Sequence, residues 1–266
     1  MVNPICSMLP EDFPWRSRIH LFDCLPSTND YAKELARQGA PHGTVIVADM
    51  QTAGRGRMGR SFHAPKNQGL YLSLILRPEC PPDQLMHLTC AVAEAACNAV
   101  EQLCGIRPQI KWINDLIMGS KKLGGILTEL SVDSKTGRSD WAVIGIGINC
   151  CQDRGDFPPE LQDIATSLLL STGSAHSPYS LACALIRELY DLSDRLLSGK
   201  DEMLKQYRQD CLTIGKEISV SKGGAVFHGK ALDIDSDGGL IVMFEDGTIQ
   251  TVQAGEVSVR GLYGYV

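Results

Sequence analysis

Three short stretches of the chain hold the side chains best suited to chemistry. Residues 54–60 read Gly54-Arg55-Gly56-Arg57-Met58-Gly59-Arg60, three guanidiniums interleaved with glycines that let the backbone approach a ligand closely. Such a loop suits a phosphate. By composition alone it suits equally well a solvated basic loop or an RNA-binding tract resembling RGG segments. In Lys111-Trp112-Ile113-Asn114-Asp115 a lysine and a polar pair interrupt an otherwise apolar run. A buried ammonium there needs an anionic partner, whereas on a sheet edge Lys111 faces water and Asn114-Asp115 merely starts a turn. The third stretch, Ser27-Thr28-Asn29, taken alone reads as a helix cap. No G-x-x-x-x-G-K-[ST] pattern occurs, which excludes a P-loop, and the pair Gly145 and Gly147 lacks the third glycine and following helix of a dinucleotide fold.

The whole chain limits what these stretches can serve. Its 266 residues are 44% hydrophobic and 21% charged, which excludes disorder and fibres and leaves room for one large domain or two modest ones. Lys plus Arg number 25 against 31 Asp plus Glu, a net charge of −6 that argues against wrapping by nucleic acid through bulk charge. Any anion must be met locally. No apolar run has bilayer-spanning length, and Pro4, Pro10, Glu11 and Asp12 occupy the place of a signal peptide's apolar core, so a cytoplasmic protein without a membrane partner is expected. Ten cysteines form no C-x-x-C pair and no cluster with histidine at zinc spacing, so no metal site is expected. Cys90, Cys97 and Cys104 recur every seven residues and read as small hydrophobes on one buried helix face, in keeping with a reducing compartment.

The elements that must position the three stretches follow from periodicity. Residues 27–39 predict a short helix capped by Ser27 and stopped at Gly39, then 43–49 a buried strand, 51–68 a loop and 70–76 a strand. A long helix opens at Pro81-Pro82-Asp83 and stops at Gly105. Segments 109–118, 124–132 and 141–148 are rich in Ile, Leu and Val and predict strands. Residues 152–178 read as a surface excursion with one short helix, and 180–198 and 202–212 as helices. Beyond Gly215 the pattern becomes five short strands punctuated by turn residues, which suggests a small SH3-like barrel. The expected class is α+β, with a mixed-sheet domain over 1–214 and the barrel over 215–266.

The order of the motifs adds what none of them carries alone. Ser27-Thr28-Asn29, then residues 51–60 from Gln51 to Arg60, then Lys111-Trp112-Ile113-Asn114-Asp115, then Lys122-Leu123-Gly124-Gly125-Ile126-Leu127 and Gly145-Ile146-Gly147-Ile148-Asn149 together resemble the biotin protein ligases. The tail Gly255-Glu256-Val257-Ser258-Val259-Arg260-Gly261 is similar to that family's C-terminal domain, and the resemblance spans residues 17–266. It implies a catalytic domain resembling the class II synthetase-like biotin/lipoate ligases. It also implies a reaction: ATP activates biotin to biotinyl-5′-AMP, releasing pyrophosphate, and biotin then passes to one lysine of a carboxylase's biotin carboxyl carrier domain. ATP and biotin are the implied substrates, with Mg²⁺ on the triphosphate.

By the same resemblance Lys111 and Arg57 are the catalytic cations, Lys111 bridging the biotin carboxyl and the phosphate. Ser27, Thr28, Asn29 and Gln51 meet the ureido group, and Arg55, Gly56 and Arg57 wrap the acyl-adenylate, so that with Lys111 all eight count as biotin-binding. Arg55, Arg57, Arg60 and Asn114 serve the nucleotide. A buried urea demands matched donors and acceptors, which rejects fatty acids. Two positions depart from the family pattern: Phe62-His63 where Trp and a small polar residue are frequent, and Ile113 where proline is usual. Only about sixteen residues precede the matching region, so no DNA-binding winged helix, repression or specific DNA partner is expected, and a homodimer is compatible with the sequence. The barrel is expected to serve transfer to the carrier more than adenylation. Two other readings compete: a lipoate ligase, whose Arg-Arg and Gly-Gly-Gly patterns are not seen here, and a non-enzymatic RNA-binding module, which gives Lys111 and residues 27–29 no role.

Overall fold

The computed structural model describes residues 3–253 and 258–261. Gly255, Glu256 and Val257 of the C-terminal motif lie outside the described residues.

The apolar alternation in the first half of the chain builds a seven-stranded mixed sheet. A short helix α1 (Pro4–Met8) leads into strand β1 (Ile19–Phe22), followed by α2 (Thr28–Arg37), β2 (Thr44–Ala48) and β3 (Gly69–Leu76). Helix α3 (Leu88–Cys104) then precedes β4 (Gln109–Lys111), β5 (Asp115–Met118), β6 (Lys121–Val132) and β7 (Ser139–Asn149). The sheet order is β1, β2, β3, β7, β6, β5, β4, and β1 runs parallel to β2 while the other pairs are antiparallel. Helices α4 (Leu168–Thr172), α5 (Pro178–Arg195) and α6 (Lys200–Asp210) follow. Strands β8 (Glu217–Lys222), β9 (Ala225–Ile234), β10 (Leu240–Phe244), β11 (Ile249–Val252) and β12 (Ser258–Gly261) form a second, antiparallel sheet in the order β11, β10, β9, β8, β12.

The alternation along β3 explains why the first sheet is covered on both faces. Leu70, Leu72, Leu74 and Leu76 enter the large core with α3 and α5, while Ile75 enters a small core with Ala32 and Ala36 of α2. Each fully buried leucine contributes about 1.5–3 kcal/mol. Ser73, fully buried, is the polar break on the α2 face. Cys90 and Cys97 are buried in the large core and Cys104 is half-buried.

Three local expectations change. Pro82–Leu85 is a separate 3₁₀ turn, and α3 begins only at Leu88. Segment 109–118 is a β4–β5 hairpin, with Lys111 opposite Asp115 across its turn. Strand β1, only four residues long and defined by its pairing to β2, was not foreseen. Helix α2 begins at Thr28 with Ser27 as N-cap, its hydroxyl accepting from the Asp30 N–H at 3.3 Å.

Candidate functional site

The register of the sheet carves a cleft on the α2 face. Cross-strand partners share a face, so Tyr71, Gly147, Gly125, Asp115 and Lys111 form one row across β3, β7, β6, β5 and β4. Ser73, Gly145 and Leu127 form the next row. Glycine at the centre of both rows leaves a floor without side chains. A Cβ at Gly145 would lie 2.1 Å from Asn29 Oδ1, and one at Gly147 would lie 2.7 Å from the Phe62 ring. Those two close approaches are what the Gly145-x-Gly147 pattern permits.

Above this floor is a cleft of about 510 Å³, and all ten residues singled out from the sequence line it. They fall into two hydrogen-bonded groups. In the first, Gln51 Oε1 accepts from the Thr28 backbone N–H at 2.8 Å and from its hydroxyl at 3.0 Å. A backbone N–H can only donate, so the amide orientation is fixed and Nε2 is the donor end left for a ligand. Asn29 donates from Nδ2 to the Leu127 carbonyl at 3.2 Å and to Glu129 Oε2 at 3.0 Å, which turns its Oδ1 toward Ser73 Oγ at 2.6 Å. Ser73 Oγ is also 2.8 Å from Thr28 Oγ1, and its single proton can satisfy one of the two.

A chain of charges runs outward from this group to the arginine loop. Glu129 binds Lys33 at 2.8 Å, Lys33 binds Asp30 at 2.9 Å, and Asp30 binds Arg55 at 2.5 Å. Burial opposes ionisation of Asp30, but the hydrogen bonds from Lys33 and Arg55 outweigh it and hold the carboxyl below its usual range. The loop itself is a tight hairpin: Phe62 N–H donates to the Gly54 carbonyl at 2.9 Å and Gly56 N–H to the Arg60 carbonyl at 2.7 Å. A Cβ at Gly54 would meet the Phe62 carbonyl at 2.5 Å.

The second group surrounds the β4–β5 turn. Arg57 Nη1 donates to Asn114 Oδ1 at 3.0 Å, and Asn114 Nδ2 donates to the Ile126 carbonyl at 3.0 Å. Lys122 binds Asp115 Oδ1 at 2.6 Å. Burial draws the Arg57 guanidinium below the ordinary arginine range, against the opposing pull of Asp115, and it stays charged at any working pH. Lys111 is half-buried beside Asp115 on the edge strand and Asn114 lies in the turn, so the edge-and-turn alternative describes the backbone, while the lysine side chain lines the cleft. Phe62, whose ring stands where the family pattern implies aromatic packing beside the nucleotide, lines the cleft, and so do Asp115 and Lys122, to which the sequence reading gave no role. Asp115 and Lys122 sat in quoted motifs seven residues apart, and only the hairpin register brings them together. Ile164 also lines the cleft, from a segment whose polar composition gave no signal.

Among the described residues, five cationic side chains, Arg55, Arg57, Arg60, Lys111 and Lys122, and one carboxylate line the cleft of a chain whose net charge is −6. That local inversion of charge selects an anion, and the neutral Gln51–Thr28–Asn29 group selects a polar, uncharged partner within reach of it. Among the described residues no group of three or more His, Cys, Asp or Glu could hold a metal ion, and no helix is long and apolar enough to cross a membrane.

Comparison with known proteins gives a concordant picture. Residues 21–149 match the biotin/lipoate A/B protein ligase family, and residues 213–260 match the biotin protein ligase C terminal domain. The bifunctional ligase/repressor BirA of Bacillus subtilis is 40% identical over 230 residues, 85% of this chain and 69% of that protein. The biotin--[acetyl-CoA-carboxylase] ligase of Mycobacterium tuberculosis is 33% identical over 237 residues, 87% of this chain and 85% of its own length. A solved structure of biotin protein ligase from Aquifex aeolicus in complex with biotin and ATP aligns with a TM-score of 0.77 at 28% identity, covering 91% of this chain and 98% of that one.

Proposed function

The chain belongs to the biotin protein ligase family, and from that premise we propose how its own residues divide the work of joining biotin to a protein lysine. In the first step the biotin carboxylate attacks the α-phosphate of ATP, a P–O bond forms, and pyrophosphate leaves with the electrons of the broken P–O bond. In the second, the amine of a lysine on a biotin carboxyl carrier domain attacks the acyl carbon of biotinyl-5′-AMP, AMP leaves, and the amine gives up a proton.

The observation that carries this reading is the cationic cleft in an acidic chain, joined to a neutral hydrogen-bonding end. Two anions must meet in the first step, so fixed positive charge aimed at the developing phosphorane is the largest available contribution. Lys111 and Arg57 take that role. Arg55, Arg60 and Asn114 hold the nucleotide, and Gly56 lets the loop backbone approach the adenylate. Ser27 accepts the Asp30 N–H with a lone pair and keeps its proton, so its hydroxyl and Gln51 Nε2 can donate to a urea oxygen. Thr28 and Asn29 supply acceptor oxygens for urea N–H groups. Mg²⁺ neutralises phosphate charge when it arrives with the triphosphate. In the second step Asp115, the one carboxylate among the described residues that line the cleft, receives the acceptor lysine's proton.

The same reading divides the chain after residue 214 into a catalytic domain and a cap, and places the protein in the cytoplasm, where ten free cysteines are stable. Incubation with α-labelled ATP tests it: label should appear in biotinyl-5′-AMP only when biotin is present, and should pass to AMP when an unmodified carrier domain is added. Label in AMP without biotin, or no adenylate at all, contradicts the assignment.

A further inference from the structure

Lys111 ends a strand of only three residues at the edge of the sheet, a poor anchor for a group that must hold a fixed charge. What surrounds it comes from far along the chain. On its N-terminal side, the Ile110 carbonyl accepts the Leu212 N–H at 3.0 Å. On its C-terminal side, Trp112 is 5% exposed; its backbone N–H donates to Thr213 Oγ1 at 2.9 Å and its indole Nε1–H donates to the Gly238 carbonyl at 2.9 Å. One residue further, the Ile113 carbonyl accepts from the Tyr207 hydroxyl at 3.2 Å.

The turn presenting that Gly238 carbonyl is built to stay in place. Asp235 Oδ1 accepts the N–H groups of Asp237 and Gly239, each at 2.8 Å, an arrangement that fixes the turn from within. Arg208 of α6 donates to the Ile234 carbonyl at 3.0 Å and the Asp235 carbonyl at 3.3 Å, and Lys200 pairs with Asp237. Gly238 has φ +85°, and a Cβ there would lie 2.8 Å from the buried Cys90 Sγ, so the position requires glycine.

We propose that the β9–β10 turn over residues 235–239 is a positioning element for Lys111, acting through the hydrogen bond from the Trp112 indole to the Gly238 carbonyl. The inference rests on the reading of Lys111 as the cation of the adenylation step. It gives the C-terminal sheet a part in that first step, which the sequence did not suggest. A displacement of about 1 Å in a catalytic group is enough to slow a reaction severely, so loss of one fixed hydrogen bond beside Lys111 should register in turnover before it registers in substrate binding.

The test is Trp112→Phe, which removes the indole donor and keeps a ring in the core, read by biotin-dependent pyrophosphate exchange in the full chain. Expected is a fall in kcat of about tenfold with the KM for biotin within about twofold. The same substitution on a Lys111→Ala background should cause no further loss in the residual exchange followed over long incubation, while its effect on thermal stability should be unchanged. A purely structural role would lower both rates by the same factor. Independent, multiplying losses therefore overturn the inference and leave the reading of Lys111 standing; normal exchange by Lys111→Ala alone overturns that reading itself. Should Trp112→Phe not fold, Asp235→Ala removes the carboxylate that fixes the turn from within, leaves the indole in place, and is read the same way. Parent kcat in the folded variant overturns the proposal.

Discussion

Gly145→Ala places a methyl group where the structure has no space for one. The added Cβ would lie 2.1 Å from Asn29 Oδ1, well inside contact distance, so Asn29 must move. Asn29 is 4% exposed and holds three hydrogen bonds: to the Leu127 carbonyl, to Glu129 and from Ser73. Two of these join neutral groups, worth about 1 kcal/mol each, and the one to Glu129 is charge-assisted, about 1.5–3 kcal/mol. Some of that is recovered by water in the cleft and by the lower chain entropy of alanine, leaving an expected cost of about 2–3 kcal/mol. For a chain of this size that is a fall in Tm of about 4–12 °C. Biotin affinity should fall at least about tenfold, since each lost hydrogen bond approaches that factor. Calorimetric melting and biotin titration read both effects. The decisive control is Asn29→Ala, on which background Gly145→Ala should cost under about 0.5 kcal/mol because the clashing atoms are gone. A full penalty on that background, or a parent-like Tm and affinity for Gly145→Ala alone, refutes the account of the glycine floor.

Other perturbations address the loop and the charges. Arg55→Gly removes the tether to Asp30, so the variant should release biotinyl-5′-AMP faster than the parent in rapid filtration and label bystander proteins; equal release means the tethered loop does not retain the adenylate. The Asp30 carboxyl lies below its usual range when folded, so the tether's contribution is present above the unfolded carboxylate range, about pH 4, and is lost as pH falls through the folded value. Cleavage of the loop by an acid-active protease should therefore rise below that range in the parent, while Asp30→Asn is cut readily throughout; identical pH profiles count against the tether. Asp115→Asn should slow biotin transfer to a carrier domain by about 10–100-fold and pyrophosphate exchange by less than about threefold, and equal loss in both steps would remove Asp115 from the second.

The sequence disclosed elements whose signals are local. Helix α2 was legible because Ser27, the apolar stripe through Ala32 and Ala36, and the φ +88° glycine at Gly39 are all local features. Strand β3 was legible from its leucines. The split of 109–118 into a hairpin was legible only as the turn that Asn114-Asp115 could start, because Trp112 and Ile113 are not turn formers and their geometry is held by Thr213, Gly238 and Tyr207 from a distance. For the same reason β1, amphipathic and four residues long, is a strand only by virtue of β2.

The site divides along the same line. The arginine–glycine loop, the Ser27-Thr28-Asn29 run and Lys111 were visible as residue types in an informative order, and they line one cleft. Glu129, Ser73 and the Asp115–Lys122 pair were invisible as contributors, because their roles depend on sheet register, which no single segment encodes. The glycines at 125, 145 and 147 were visible only as parts of two motifs, and the dinucleotide pattern weighed for Gly145 and Gly147 says nothing of their role; aligned across three strands with Tyr71 and Ser73, they form the floor.

The proposed role of Lys111, stabilising the attack of biotin's carboxylate on ATP, is read most directly by biotin-dependent exchange of labelled pyrophosphate into ATP, which follows that step alone. The parent protein should exchange label only when biotin is present, and Lys111→Ala should exchange about 10²–10³-fold more slowly while keeping its fold. Absence of biotin-dependent exchange in the parent, or exchange at the parent's rate in Lys111→Ala, would contradict it.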